Sequence, residues 1–173
     1  KKYLNKSLQA FEAFTLVALN HSQLSTILSS ISSDNQDLAD QSTLKAILAS
    51  SVANLWKWNN PKVQSRIILA ALFSDIGLKD NTQLLSKKRF EYTAEEAKQY
   101  EQHPITSYEI LKQIEDIPEE ILLVAIQHHE NAAGLGFPQK LARSKIHSYS
   151  KIVHGVGVFI DTILAQDDKK DIK

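Results

Sequence analysis

The sequence predicts an all-α domain, and three observations carry that prediction. Only five glycines and four prolines punctuate 173 residues. Apolar positions recur at three- and four-residue intervals along most of the chain, and the pattern leaves no place for a parallel sheet. At 19.4 kDa, the chain suits one domain with a substantial core, or a domain with a small helical appendage.

Taken in order, Leu4, Leu8, Phe11, Phe14 or Thr15, and Ala18 form one helical stripe. Leu24, Ile27, Leu28 and Ile31 continue it until Ser32-Ser33-Asp34-Asn35 breaks the pattern. Residues 1–37 are therefore expected as an N-terminal helical lead-in, and 38–165 as the main domain. A second apolar face runs through Leu44, Ile47, Leu48, Val52 and Leu55, with Asn59-Asn60-Pro61 as its stop. Ile67, Ile68, Ala71, Leu72 and Phe73 belong to the next helix.

Thr93 followed by Glu96 is a capping-box signature that starts a helix running to about Gln102, with His103 at its end. Ile105, Tyr108, Leu111 and Ile114 make a further stripe. Asp116-Ile117-Pro118-Glu119-Glu120 supplies a cap, an early proline and an acidic first turn for a helix carrying Ile121, Val124, Ala125 and His128. Two glycines and a proline make 131–139 a loop. A last helix covers Ile152 to Leu164, and 166–173 is a polar tail.

Twenty basic residues balance twenty acidic ones, so no overall field draws in a nucleic acid polymer or an anionic membrane. The lack of cysteine excludes disulfides, thiolate metal sites and cysteine nucleophiles. No apolar run reaches membrane-spanning length, and Lys1-Lys2-Tyr3 does not open a signal peptide. The expectation is a soluble, cytoplasmic protein. Methionine is also absent, which reads as an excised fragment or as modified methionines missing from the sequence, so that the spacings here are minima.

Six histidines are present, and His103, His128 and His129 fall at helix ends or beside the glycine loop, where a polar pocket would form. Neutral imidazole suits zinc, iron, manganese or nickel, and a carboxylate can complete the shell. Asp75, after the apolar face ending in Ala70-Ala71-Leu72-Phe73-Ser74, is the candidate carboxylate. It either faces a partner or a metal near the core, or caps the helix that follows. Adjacent histidines on a helix point about 100° apart, so one of His128 and His129 facing outward is an equal alternative. His21, His147 and His154 read as surface or hydrogen-bonded side chains.

Ala70-Ala71-Leu72-Phe73-Ser74-Asp75-Ile76-Gly77, then His103-Pro104 with Tyr108-Glu109-Ile110-Leu111, then His128-His129-Glu130 with Gly134-Leu135-Gly136-Phe137-Pro138, resembles the HD-GYP family over about Gln41 to Leu164. The resemblance implies an HD-domain-like helical bundle. It also implies hydrolysis of the second messenger cyclic di-GMP with two or three metal ions, often iron or manganese. Against the family pattern, the histidine of the namesake pair falls on Ser74. An upstream histidine falls on Gln41 or Ser42, and a late aspartate falls on Gly157 with Asp161 one turn further along. The lysine after Asp-Ile-Gly falls on Leu78, beside Lys79, and the tyrosine of Gly-Tyr-Pro is Phe137.

Asp75, His103, His128 and His129 remain as metal ligands, enough for one divalent ion of iron, manganese or zinc, or for none. Gly134, Gly136, Phe137, Pro138 and Lys151 are the candidate ligand-binding residues, with Phe137 to stack on a guanine and Lys151 to meet a phosphate. Three readings stay open. The first is a catalytically degenerate domain that serves as a regulatory or binding module in cyclic di-GMP signalling, with cyclic di-GMP or a protein such as a diguanylate cyclase or response regulator as partner. The second is a phosphohydrolase with a reduced, mononuclear site in which Lys151 or Lys79 neutralises the phosphate. The third is a purely structural helical domain, for which Trp56 and Trp58 hint at an interface.

Overall fold

The computed structural model describes residues 38–167. The lead-in 1–37, with its apolar stripe and His21, and residues 168–173 lie outside the described residues. Five α-helices occur among the described residues: α1 (Leu38–Leu55), α2 (Pro61–Phe73), α3 (Ala94–Leu111), α4 (Glu119–Gln127) and α5 (Ser148–Asp167). Short 3₁₀ turns lie at Ile76–Leu78, Thr82–Ser86, Arg89–Glu91 and Arg143–Lys145. The described residues hold no strand, in keeping with the all-α expectation.

Helix α1 buries Leu44, Leu48, Ala46, Ala49 and Ala53, and the small side chains let its backbone approach its neighbours. It packs against α2 on one side and α5 on the other, while α4 bridges α2, α3 and α5. Ile67, Ile68, Ala70 and Ala71 of α2, Val124 and Ala125 of α4, and Ile152, Val153, Val156 and Ile160 of α5 complete one apolar core. An ion pair between Arg66 and Glu120 ties α2 to α4 at the half-buried edge. No helix among the described residues is long and apolar enough to cross a membrane.

The helix ends differ from expectation in instructive ways. Helix α1 stops at Leu55, because Lys57 takes a left-handed conformation (φ 63). The amides of Lys57 and Trp58 then reach back to the carbonyls of Asn54 and Ala53. Leu55, expected on the buried face, is thereby left 72% exposed. Asn60-Pro61 does not end α1 but starts α2: the Asn60 side chain accepts from the Lys62 amide at 2.9 Å, and Pro61 takes the first helical position.

Thr93 and Glu96 form the reciprocal capping box, but α3 does not stop near Gln102. It runs through Pro104 to Leu111, so His103 sits in mid-helix and Ile114 falls beyond the helix, 43% exposed. Pro118, not Asp116, occupies the position before α4, and no side chain caps that helix. The last helix begins four residues before Ile152, at Ser148, and reaches Asp167, past the start expected for the tail.

Candidate metal centre

Four residues from three parts of the fold meet at one point. Asp75 follows the last residues of α2, His103 lies in α3, and His128 and His129 follow directly on α4. One ligand atom from each lies within 4.8 Å of every other. Asp75 is buried and makes no capping hydrogen bond to the 3₁₀ turn after it, so the reading of Asp75 as a helix cap is not the observed one. Its Oδ1 stands 3.4 Å from His103 Nε2 and 3.3 Å from His128 Nε2, and the two Nε2 atoms are 3.1 Å apart.

Both rings are oriented from behind. His128 Nδ1 donates to the Ala125 carbonyl at 2.9 Å, and His103 Nδ1 donates to the Tyr100 carbonyl. A carbonyl only accepts, so each Nδ1 carries a hydrogen and each neutral ring presents a lone pair at Nε2. The Tyr100 carbonyl is open to this bond because Pro104, four residues on, has no amide hydrogen to give it. Burial holds the His128 pKa below its ordinary value, which keeps that ring neutral.

With the rings neutral, two lone pairs and a carboxylate oxygen face one another, an arrangement suited to a cation. The separations of 3.1, 3.3 and 3.4 Å match the ~3.0–3.5 Å expected between donors that each lie about 2.0–2.2 Å from a common ion. His129 adds a further nitrogen, giving three imidazoles and one carboxylate. Its Nε2 lies 3.4 Å from the Tyr100 hydroxyl, and burial, reinforced by His128 and His103, puts its pKa well below the ordinary range. The residues present therefore fit a divalent metal.

Both members of the His-His pair contribute to the cluster, at the point where α4 ends after Gln127. Their ring centroids are 4.2 Å apart. His154 helps from α5, with Nδ1 3.0 Å from the His128 carbonyl. His147 accepts from the Tyr149 amide near the start of α5, a hydrogen-bonded role as expected.

The other oxygen of Asp75 is differently served. Oδ2 accepts from the Lys45 ammonium, in an ion pair with little exposure, and from Ser74 Oγ at 2.7 Å. Burial alone would raise the Asp75 pKa. The Lys45 ammonium reverses this and holds it well below the usual carboxylate range.

Lys45 was not among the residues singled out from sequence. Its signal is a lone cation inside the apolar run Leu44-Lys45-Ala46-Ile47-Leu48, which requires a partner once buried. Arg89 and Tyr100 were also missed: the guanidinium lies over the Tyr100 ring, 4.8 Å from its centroid, and also reaches Asp161 at 3.4 Å.

Two glycines set the walls. A Cβ at Gly77 would run into the His103 carbonyl and meet Ser107 Oγ at 2.9 Å, and the Gly77 amide donates to that hydroxyl. The turn after Asp75 can thus lie directly on α3. A Cβ at Gly136 would run into the His129 carbonyl, so the loop folds back onto the histidine pair. Glu130, 1% exposed, accepts from the amides of Gln139 at 2.6 Å and Leu141 at 2.8 Å, and Asn131 accepts from Ala133 and Leu135.

Within this loop Gly134 takes a positive φ of 69, and Gly136, Phe137 and Pro138 follow it. The Phe137 ring stacks on His129, with centroids 4.5 Å apart and planes 15° apart, so one of its faces is already engaged. Lys151 is exposed on the first turn of α5 and its charge acts on His147, whereas the charge acting on Asp75, His128 and His129 is that of Lys45. Lys79 pairs with its neighbour Asp80 at the surface.

Comparison with known proteins bears on family and fold. The family model described as "HD domain" matches residues 25–172. Among solved structures, Bd1817, described as an HDG"Y"P protein from Bdellovibrio bacteriovorus, is similar with a TM-score of 0.83 at 18% identity, over 96% of this chain and 56% of that one. The present chain spans little more than half the length of that protein, and the likeness is one of fold. No curated protein matches.

Proposed function

We propose, on the premise that this chain belongs to the HD domain family, that it is a regulatory binding module of cyclic di-GMP signalling that holds one divalent metal ion and does not turn its nucleotide over efficiently. The observation that supports this reading is the division of labour at Asp75. Oδ1 faces the histidine nitrogens, and Oδ2 is taken by Lys45 and Ser74.

Asp75, His103, His128 and His129 would hold the ion, whether iron, manganese or zinc. When bound, it offers Lewis-acid attraction for a phosphoryl oxygen. The chain's own residues shape what approaches it. Gly136 and Phe137 lie against His129, and with Gly134 and Pro138 of the same loop they would meet a flat base. Lys151 at the start of α5 and Arg89 above Tyr100 are cations for more distant phosphate oxygens. Efficient in-line displacement at a phosphodiester is best served by two ions that steady both the attacking and the leaving oxygen. The same four donors, being complete for one ion, favour a mononuclear phosphohydrolase as the second reading.

The test uses the full chain without a histidine tag, loaded with Mn²⁺ and titrated calorimetrically with cyclic di-GMP, followed by chromatography of the recovered nucleotide. Saturable binding with intact cyclic di-GMP is expected. Metal-dependent conversion to a linear dinucleotide or GMP would replace this reading with the phosphohydrolase, and neither binding nor conversion would leave a protein-binding role.

A further inference from the structure

The cluster contains a cation of its own. Lys45 sends its ammonium from α1 to Asp75 Oδ2 with 13% of its side chain exposed, while the carboxylate is 9% exposed. A buried ammonium is sustained only by such a partner. Ser74 Oγ, itself fully buried, approaches the same oxygen at 2.7 Å. Oδ2 is thus already served by two donors, and the carboxylate can reach outward to a metal only through Oδ1.

The Lys45 stem lies along α5 where Gly157 has no side chain: a Cβ at Gly157 would sit 3.9 Å from Lys45 Cε. Asp161, one turn along α5, has its carboxylate on Arg89. The polar groups shown on Asp75 Oδ2 are the Lys45 ammonium and Ser74 Oγ.

We infer that the Lys45 ammonium is the site's second positive charge, occupying the far oxygen of Asp75 and limiting the cluster to one divalent ion. This rests on the one-metal reading above. A carboxylate that would otherwise bridge two ions instead joins one ion to one ammonium. The ammonium also repels the ion through the shared carboxylate, so it weakens the first site while it blocks a second.

The test counts ions per chain by equilibrium dialysis and elemental analysis, with Mn²⁺ alone as the probe, for the wild-type chain, Lys45→Met and Lys45→Glu. Helical circular dichroism checks the fold of each. The wild type is expected to saturate at one ion. Lys45→Met, which keeps the stem and removes the charge, is expected to bind one ion at least tenfold more tightly. Lys45→Glu, which places a second carboxylate beside Oδ2, is expected to saturate at two.

Two ions in the wild type would overturn the inference while leaving metal binding intact. So would a folded Lys45→Glu that stops at one ion, or unchanged or weaker binding in Lys45→Met. If Lys45→Glu does not fold, the Lys45→Met affinity decides. No ion in any of the three chains would instead remove the one-metal reading itself, and the inference with it.

Discussion

The His103 imidazole is aimed by Tyr100: Nδ1 donates to the carbonyl that Pro104 leaves without its helical amide partner. A proline inside a helix commonly costs ~3 kcal/mol or more, and here the freed acceptor orients a ligand. Pro104→Ala restores a competing amide at the Tyr100 carbonyl. The metal-free protein is expected to melt at the same temperature or higher. Mn²⁺ affinity is expected to fall by about 10–100-fold, the usual cost of losing an orienting partner behind a ligand. Calorimetric unfolding beside a metal titration checks both, and unchanged affinity would show that packing alone holds the ring.

Gly77 lets the turn after Asp75 rest on α3 at the backbone of His103 and Ser107. Gly77→Ala must push that turn away, an overpacking effect of about 1–3 kcal/mol. Because the displaced segment carries Asp75, stability and Mn²⁺ affinity are expected to fall together. Urea unfolding and a metal titration on the same variant measure this, whereas full affinity with reduced stability would separate the turn from the site.

Glu130 holds the glycine loop by accepting two backbone amides. Glu130→Ala leaves both amides without this acceptor and is expected to cost about 1–3 kcal/mol. Amide hydrogen exchange should accelerate at Gln139 and Leu141, while α1 and α2 keep their protection. Equal acceleration throughout the helices would mean that Glu130 supports the whole fold and not the loop.

Acid should destabilise the chelator-treated protein in two windows. Burial lowers the His128 pKa and puts that of His129 well below the ordinary value. The unfolded chain therefore binds protons first as pH falls. The contribution of the neutral rings is complete above the unfolded value of about 6.5 and is lost as pH falls below it, at up to ~1.4 kcal/mol per pH unit for each ring. Burial would raise the pKa of Asp75, but the Lys45 ammonium depresses it. Its contribution is present above the unfolded value of about 3.9 and is lost as pH falls below that. Urea midpoints from about pH 7.5 to about pH 5, on either side of the histidine value, test the first window; a flat profile would contradict it.

Local signals were the most legible part of the sequence. Thr93 and Glu96 form their box because both partners lie within one turn, and Asp75, His103, His128 and His129 stood out as residue types suited to one ion. Helix α3 runs past the end expected near Gln102 because a helix can absorb a proline, here Pro104, when tertiary packing holds the next turn, as the burial of Ser107 and Leu111 shows. Leu55 and Ile114 fit the apolar stripes but lie at or beyond points where the helices end. Lys45 was hidden for another reason: its partner is thirty residues away, and only the packing of α1 beside the end of α2 brings them together.

The single-cation centre proposed on the Oδ1 side of Asp75 is open to direct observation. A crystal of the full chain grown with Mn²⁺ and recorded at a wavelength sensitive to manganese tests it most directly. The prediction is one anomalous peak within bonding distance of Asp75 Oδ1, His103 Nε2 and His128 Nε2, with Lys45 still on Oδ2. Two peaks bridged by Asp75, or no peak at the cluster, would contradict it.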